Sequence, residues 1–117
     1  MGYDRNNVFA KILRGEIPCE RVYEDEAVLA FKDINPKAPI HVLVIPKGAY
    51  SSFIDFSIRG SSEEVATFFS TVGKIVEQLR LHENGFRMVV NSGPDSGEEV
   101  PHFHVHLMSG KRLGAMA

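Results

Sequence analysis

Residues 101–108 read Pro101-His102-Phe103-His104-Val105-His106-Leu107-Met108, and this run limits the fold more than any other part of the chain. Histidine takes every second position, with apolar residues between. A period of two is that of an extended strand, in which successive side chains point to opposite faces. The pattern therefore predicts a strand with His102, His104 and His106 on one face and Phe103, Val105 and Leu107 on the other. Neighbouring imidazoles on such a face lie about 7 Å apart, so they can address one small charged group. Two kinds of chemistry would use them. His-x-His can present imidazole nitrogens to zinc, with His41 or an acid as a further ligand. Alternatively, a neutral imidazole attacks phosphorus while neighbouring imidazolium groups stabilise the oxygens. A histidine pKa of about 6.5 lets members of one cluster divide between these protonation states. The ladder alone is compatible with both.

Local signals divide the rest of the chain into short elements. Asn6 or Asn7 can cap a helix from Val8 to Arg14, closed by Gly15, with Phe9, Ile12 and Leu13 on one face. Glu20–Tyr23 and Ala27–Asp33 read as hairpin strands around the polar turn Glu24-Asp25-Glu26. His41-Val42-Leu43-Val44-Ile45-Pro46 is nearly all apolar, as in a central strand buried on both faces. Residues 48–60 show no clear period and leave room for a short helix.

Ser61 and Glu64 then form a capping box. Val65, Phe68, Phe69, Val72, Ile75, Val76 and Leu79 continue it as one apolar stripe, predicting a long helix over Ser61–Leu81. Asn84 or Gly85 suits the left-handed position that ends it. Phe86–Asn91 reads as a strand, and a glycine-bearing loop leads to the histidine run. Strands joined by short turns imply antiparallel pairing, with helices covering one face. That is an α+β meander.

With 117 residues the chain is expected to be a single domain, 1–117, around one core. A net charge of −2 argues against broad nucleic-acid or membrane-surface binding. The absence of a long apolar run or apolar leader predicts a cytoplasmic protein. Cys19 is the sole cysteine, so there is neither an internal disulfide nor a cysteine-based zinc site.

The histidine run matches a known signature: His, apolar, His, apolar, His, apolar, apolar. This is the signature of the histidine-triad (HIT) superfamily. The likeness extends to Phe9, to the Gly15-Glu16-Ile17-Pro18 turn, to residues 30–36 and 38–47, and to Val89-Val90-Asn91. The chain most resembles bacterial members of the Hint type. The resemblance implies a HIT-like fold, a five-stranded antiparallel sheet with one long and one short helix. It also implies a sheet continued across a homodimer, with the long helix and the Phe86–Val90 strand at the interface. An unpaired sheet edge and a full-length apolar stripe agree with that.

The implied activity is hydrolysis of a purine nucleoside 5′-phosphoramidate, or a related mixed phosphate, through a nucleotidyl-histidine. In this likeness His104 is the nucleophile, His102 and His106 orient it and contact phosphate oxygens, and His41 lies near the same phosphate. Asp33 resembles the ribose ligand, and Phe9, Ile17, Phe31 and Ile34, with Ile12, the apolar walls around the base. Asn91, beside the phosphate, favours the phosphoramidate branch over the fragile-histidine-triad branch, which carries Gln and cleaves dinucleoside polyphosphates. The ligand would be the purine nucleoside monophosphate or its phosphoramidate, with no metal or cofactor. Glu99 departs from the family, which usually has a hydroxyl residue there, and a carboxylate donates no proton unless protonated. His82 matches nothing and reads as structural. Two alternatives stand beside this reading. One is a dinucleoside polyphosphate hydrolase. The other is a zinc- or nucleotide-binding interaction protein with little turnover.

Overall fold

Five strands pair antiparallel into one sheet in the order β1-β2-β3-β5-β4. They are β1 (Arg21–Glu24), β2 (Val28–Lys32), β3 (Ile40–Pro46), β4 (Arg87–Val89) and β5 (Val105–Ser109). Helix α1 (Val8–Leu13) precedes the sheet, and α2 (Phe53–Arg59), α3 (Ser62–Gln78) and α4 (Leu81–Asn84) lie between β3 and β4. The computed structural model describes residues 2–97 and 100–116.

Alternation along β2 and β3 sorts the core into two clusters. Val28, Ala30, Val42 and Val44 meet Phe56 of α2 and Phe68, Val72, Ile75 and Val76 of α3. Leu29, Phe31, Leu43 and Ile45 meet Phe9 and Ile12 of α1. The expectation that helices cover one face is therefore corrected: α1 closes the second. The physical cause is the apolar run of β3, which leaves six consecutive residues buried and demands cover on both sides. Because α1 is short, it covers only part of that face. The remainder becomes the pocket.

The helix caps follow the sequence. Asn7 accepts a hydrogen bond from the Ala10 amide at the start of α1. Both halves of the capping box between Ser61 and Glu64 form at α3. The single helix expected over Ser61–Leu81 is broken. α3 stops at Gln78, Arg80 takes a left-handed conformation (φ 59°), and α4 starts at Leu81 in a new direction. The break turns Leu81 into the core beside Ile75 and Val76. Gly85, with φ 96°, makes the turn out of α4.

The histidine strand is also shorter than its pattern. β5 begins at Val105, where it pairs with Val44, and not at His102. Extending the ladder would bring Phe103 opposite Pro46, which has no amide proton to give. The Phe103 amide instead donates to the Tyr50 carbonyl at 2.7 Å, and the His102 amide to the Val100 carbonyl at 2.8 Å. The alternation of faces survives on the apolar side, where Phe103, Val105 and Leu107 all join the α3 core. Among the described residues no helix is long and apolar enough to cross a membrane.

Candidate active site

The site lies where α1 leaves the sheet uncovered. In the β3–β5 register His41 stands opposite Met108 and Leu43 opposite His106. His41 and His106 thus share a face as diagonal neighbours, within reach of each other's rings. His104 precedes the first paired residue of β5 and points to the same side. A pocket of about 540 Å³ opens over these groups, with Asp33, Asn91, His41, His104 and His106 at its polar end. Its apolar walls include Phe9, Ile12, Ile17, Phe31 and Leu43. Ile34 forms part of the rim and is 87% exposed.

Fixed main-chain partners set the proton on each imidazole. Nδ1 of His104 lies 2.7 Å from the His102 carbonyl oxygen, which can only accept. His104 therefore carries its proton on Nδ1, and its lone pair is on Nε2. The ring is buried, and Phe9 stands edge-on to it, 4.9 Å between centroids and at 89°.

A second line runs from main chain to pocket. The Lys37 amide donates to Nδ1 of His41 at 2.9 Å. Neutral His41 must then hold its proton on Nε2, which donates to Nδ1 of His106 at 2.9 Å. In turn His106 presents Nε2–H, a donor suited to a phosphate oxygen. Burial pushes the His41 pKa below the ordinary histidine value; nearby Asp33 opposes this, and His106 and Lys37 add to it. The neutral form that the relay requires is thus favoured. Asp33 Oδ1 accepts from the Asn35 amide at 2.8 Å, while Oδ2 lies 3.4 Å from Nε2 of His41.

His102 stands apart from the other two. Its ring is fully buried, and it is placed behind the pocket surface. Nε2 donates to the Pro46 carbonyl at 2.8 Å, and Nδ1 faces the Tyr3 hydroxyl. Burial lowers its pKa, with the Pro46 carbonyl opposing and His104 adding. The even ladder expected from the period of two is therefore corrected at this residue. Here the backbone carbonyl of His102, and not its ring, meets His104.

Asp33, His41 and His106 bring possible ligand atoms within 4.8 Å of one another. To bind an ion through Nε2, His41 would have to move its proton to Nδ1. There it would face the Lys37 amide proton, donor against donor, across 2.9 Å. As hydrogen bonded here, the three groups form a relay in which Nε2 of His41 serves as a donor to His106.

Several contributors were not expected at the site. Val8, Pro18, Cys19, Val89, Val100 and Met108 also line the pocket. Lys37 acts through its amide, a group every residue but proline has, so its identity carries no signal. Tyr3 is 99 residues from its partner His102. Glu99 lies outside the described residues.

A family model described as the HIT domain matches residues 14–113, which span all five strands. An uncharacterized HIT-like protein of Azospirillum brasilense is 54% identical over 114 residues, covering 97% of this chain and 93% of that one. A protein of Escherichia coli K12 named purine nucleoside phosphoramidase is 39% identical over 109 residues, covering 93% and 91%. A histidine triad protein of Clostridium difficile, solved at 0.95 Å, matches with a TM-score of 0.84 at 40% identity, covering 99% of this chain and all of its own. Identity of this order over nearly the full length, with a domain match that takes in the whole sheet, makes the chain a member of the HIT family.

Proposed function

We propose that this protein hydrolyses a purine nucleoside 5′-phosphoramidate, or a related mixed phosphate, to the nucleoside monophosphate by way of a nucleotidyl-His104. One observation carries the reading. The His102 carbonyl pins Nδ1–H of His104, so the attacking lone pair is confined to Nε2 in a pocket large enough for a nucleotide. In the first step Nε2 of His104 attacks the α-phosphorus and the P–N bond to the amine breaks, the departing nitrogen taking up a proton from solvent. Water then attacks phosphorus and gives a proton back to solvent, the P–Nε2 bond breaks, and the monophosphate departs. Nε2–H of His106, directed by His41, stabilises the charge that builds on the phosphate oxygens. Asn91 contributes at the same end. The carboxylate of Asp33 suits the ribose hydroxyls, and Phe9, Ile17, Phe31 and Ile34 the base. The relative named purine nucleoside phosphoramidase supports the choice of substrate.

The active form in this reading is a homodimer. Edge strand β4 leaves Met88 48% exposed, flanked by Phe86 at 42% and Val90 at 37%, and Phe69 of α3 is 36% exposed. Met88 pairs with Leu107, so it lies on the α3 side of the sheet, away from the pocket. An apolar edge beside a helix is what a second copy of the same surface would cover.

The test is mass spectrometry of wild type and His104→Ala after mixing with adenosine 5′-phosphoramidate, stopped without acid because the P–N bond to histidine is acid-labile. A transient gain of one nucleoside monophosphate on wild type, absent from His104→Ala together with turnover, is the expected result. Turnover by His104→Ala at the wild-type rate would overturn the mechanism.

A further inference from the structure

The imidazole of His102 is inaccessible to solvent, yet both of its nitrogens are engaged. Nε2 faces a carbonyl, which only accepts, so in the neutral ring Nε2 holds the proton and Nδ1 needs a donor. That donor is the Tyr3 hydroxyl, and the Tyr3 ring also stands at 75° to His102 with 5.6 Å between centroids. A buried acceptor left without its donor is costly, so the hydroxyl holds the ring in one orientation.

The chain is tied down at the residue after Tyr3. The Asn7 side chain donates to the Asp4 carbonyl at 2.7 Å, and the Asn6 amide to Asp4 Oδ1 at 2.9 Å. This turn hangs on the same Asn7 that caps α1, and α1 carries Phe9, which packs against His104. One N-terminal segment therefore grips both histidines. Tyr3 holds His102 through its hydroxyl, and Phe9 holds His104 through its ring.

We propose that Tyr3 is a positioning residue for the reaction: its hydroxyl fixes His102, whose carbonyl aims His104 at the phosphorus. This rests on His104 being the nucleophile. Tyr3 is absent from the described pocket lining, so its influence falls on the chemical step and not on substrate binding.

The experiment compares wild type, Tyr3→Phe and His104→Ala on adenosine 5′-phosphoramidate, at a temperature where circular dichroism shows each folded. A second readout is ¹⁵N NMR of the His102 ring in the wild-type protein. Tyr3→Phe is expected to lower kcat and the single-turnover rate of adduct formation by about tenfold, because a small loss of aim is expensive in a covalent step. Its KM should stay within about twofold of wild type; a smaller folded fraction would also lower kcat at constant KM, but it would leave the single-turnover rate constant unchanged, so that rate constant separates the two. In wild type the His102 spectrum should show Nε2 protonated and Nδ1 as a hydrogen-bonded acceptor.

An unchanged kcat in Tyr3→Phe, while His104→Ala is inactive, would sink this proposal and leave the nucleophile in place. A rise in KM at constant kcat would sink it too. Activity in His104→Ala would instead remove the proposed mechanism. Should Tyr3→Phe fail to fold, the NMR result decides: a His102 ring protonated on Nδ1 and bare on Nε2 overturns the proposal.

Discussion

His41 and His106 lie 65 residues apart in sequence and share one hydrogen bond of 2.9 Å, Nε2–H of His41 to Nδ1 of His106. Its direction is set outside both residues, by the Lys37 amide that occupies the other nitrogen of His41. A peptide N–H cannot exchange its donor role for an acceptor one. The relay therefore has a single polarity, and its last proton lies on the ring that faces the pocket.

Removing the middle of this relay should damage catalysis more than binding. His41→Ala removes the donor that sets the tautomer of His106, and losing a directed donor to a developing oxyanion costs about 10²-fold in kcat. His41→Gln can still donate an amide proton toward His106 and should recover part of that loss. Steady-state kinetics of the two variants checks this. Equal activity in both would show that direction of the proton is not what His41 supplies.

The same relay bears on the acid side of the pH profile. Burial lowers the pKa of His41 in the folded protein, so the neutral, working form persists below the ordinary histidine value. Protonation of His41 should therefore reduce kcat/KM only below about pH 6.5. His102 is lowered by burial as well, so both rings gain protons more readily when unfolded. Their contribution to stability is complete above about pH 6.5 and declines as pH falls beneath it. Urea denaturation at pH 7.5 and pH 5.5 should show the lower stability at pH 5.5, and equal midpoints would contradict the assignment of buried neutral rings.

Asp55 gives a second window, well separated from the first. The Arg59 guanidinium, hydrogen bonded through Nε at 2.7 Å, together with the Ser51 amide, holds its pKa down to about 2. A lowered carboxylate stabilises the fold above its unfolded pKa, and that gain disappears as pH drops from about 4 to 2. Because the pair is open to solvent on the arginine side, Asp55→Asn should cost only about 1 kcal/mol at pH 7. Thermal melts should show wild type and Asp55→Asn converging at pH 2.

The dimer reading makes a separate claim. Met88→Lys places a charge in the middle of the exposed β4 edge without touching the pocket. Light scattering should show the wild type at twice the chain mass and Met88→Lys shifted toward one. Two species of equal mass would remove the β4 edge from any interface.

Several elements were legible in the sequence because their causes are local. The Ser61–Glu64 capping box needs only four residues, and it forms as its pattern predicts. The apolar run of β3 foretold burial on both faces. Leu81 shows the limit of such reading. A helical stripe continues smoothly to Leu79, but nothing local says that burying Leu81 requires a left-handed residue at Arg80. The period of two placed Phe103, Val105 and Leu107 correctly on one face. It could not show that Pro46, opposite Phe103, ends the ladder early.

For the site, the period of two marked His104 and His106, and the resemblance to the histidine-triad family marked His41, Asp33 and Asn91; all five line one pocket. The proton on each ring was not visible. It depends on which atom stands 2.7 to 2.9 Å away, and those atoms are the His102 carbonyl and the Lys37 amide. Main-chain groups are the same at every position, so only the β3–β5 register and the loop before β3 decide which of them meets a histidine. Tyr3 reaches His102 across 99 residues of sequence, through a side-chain contact that packing creates and no local period can encode.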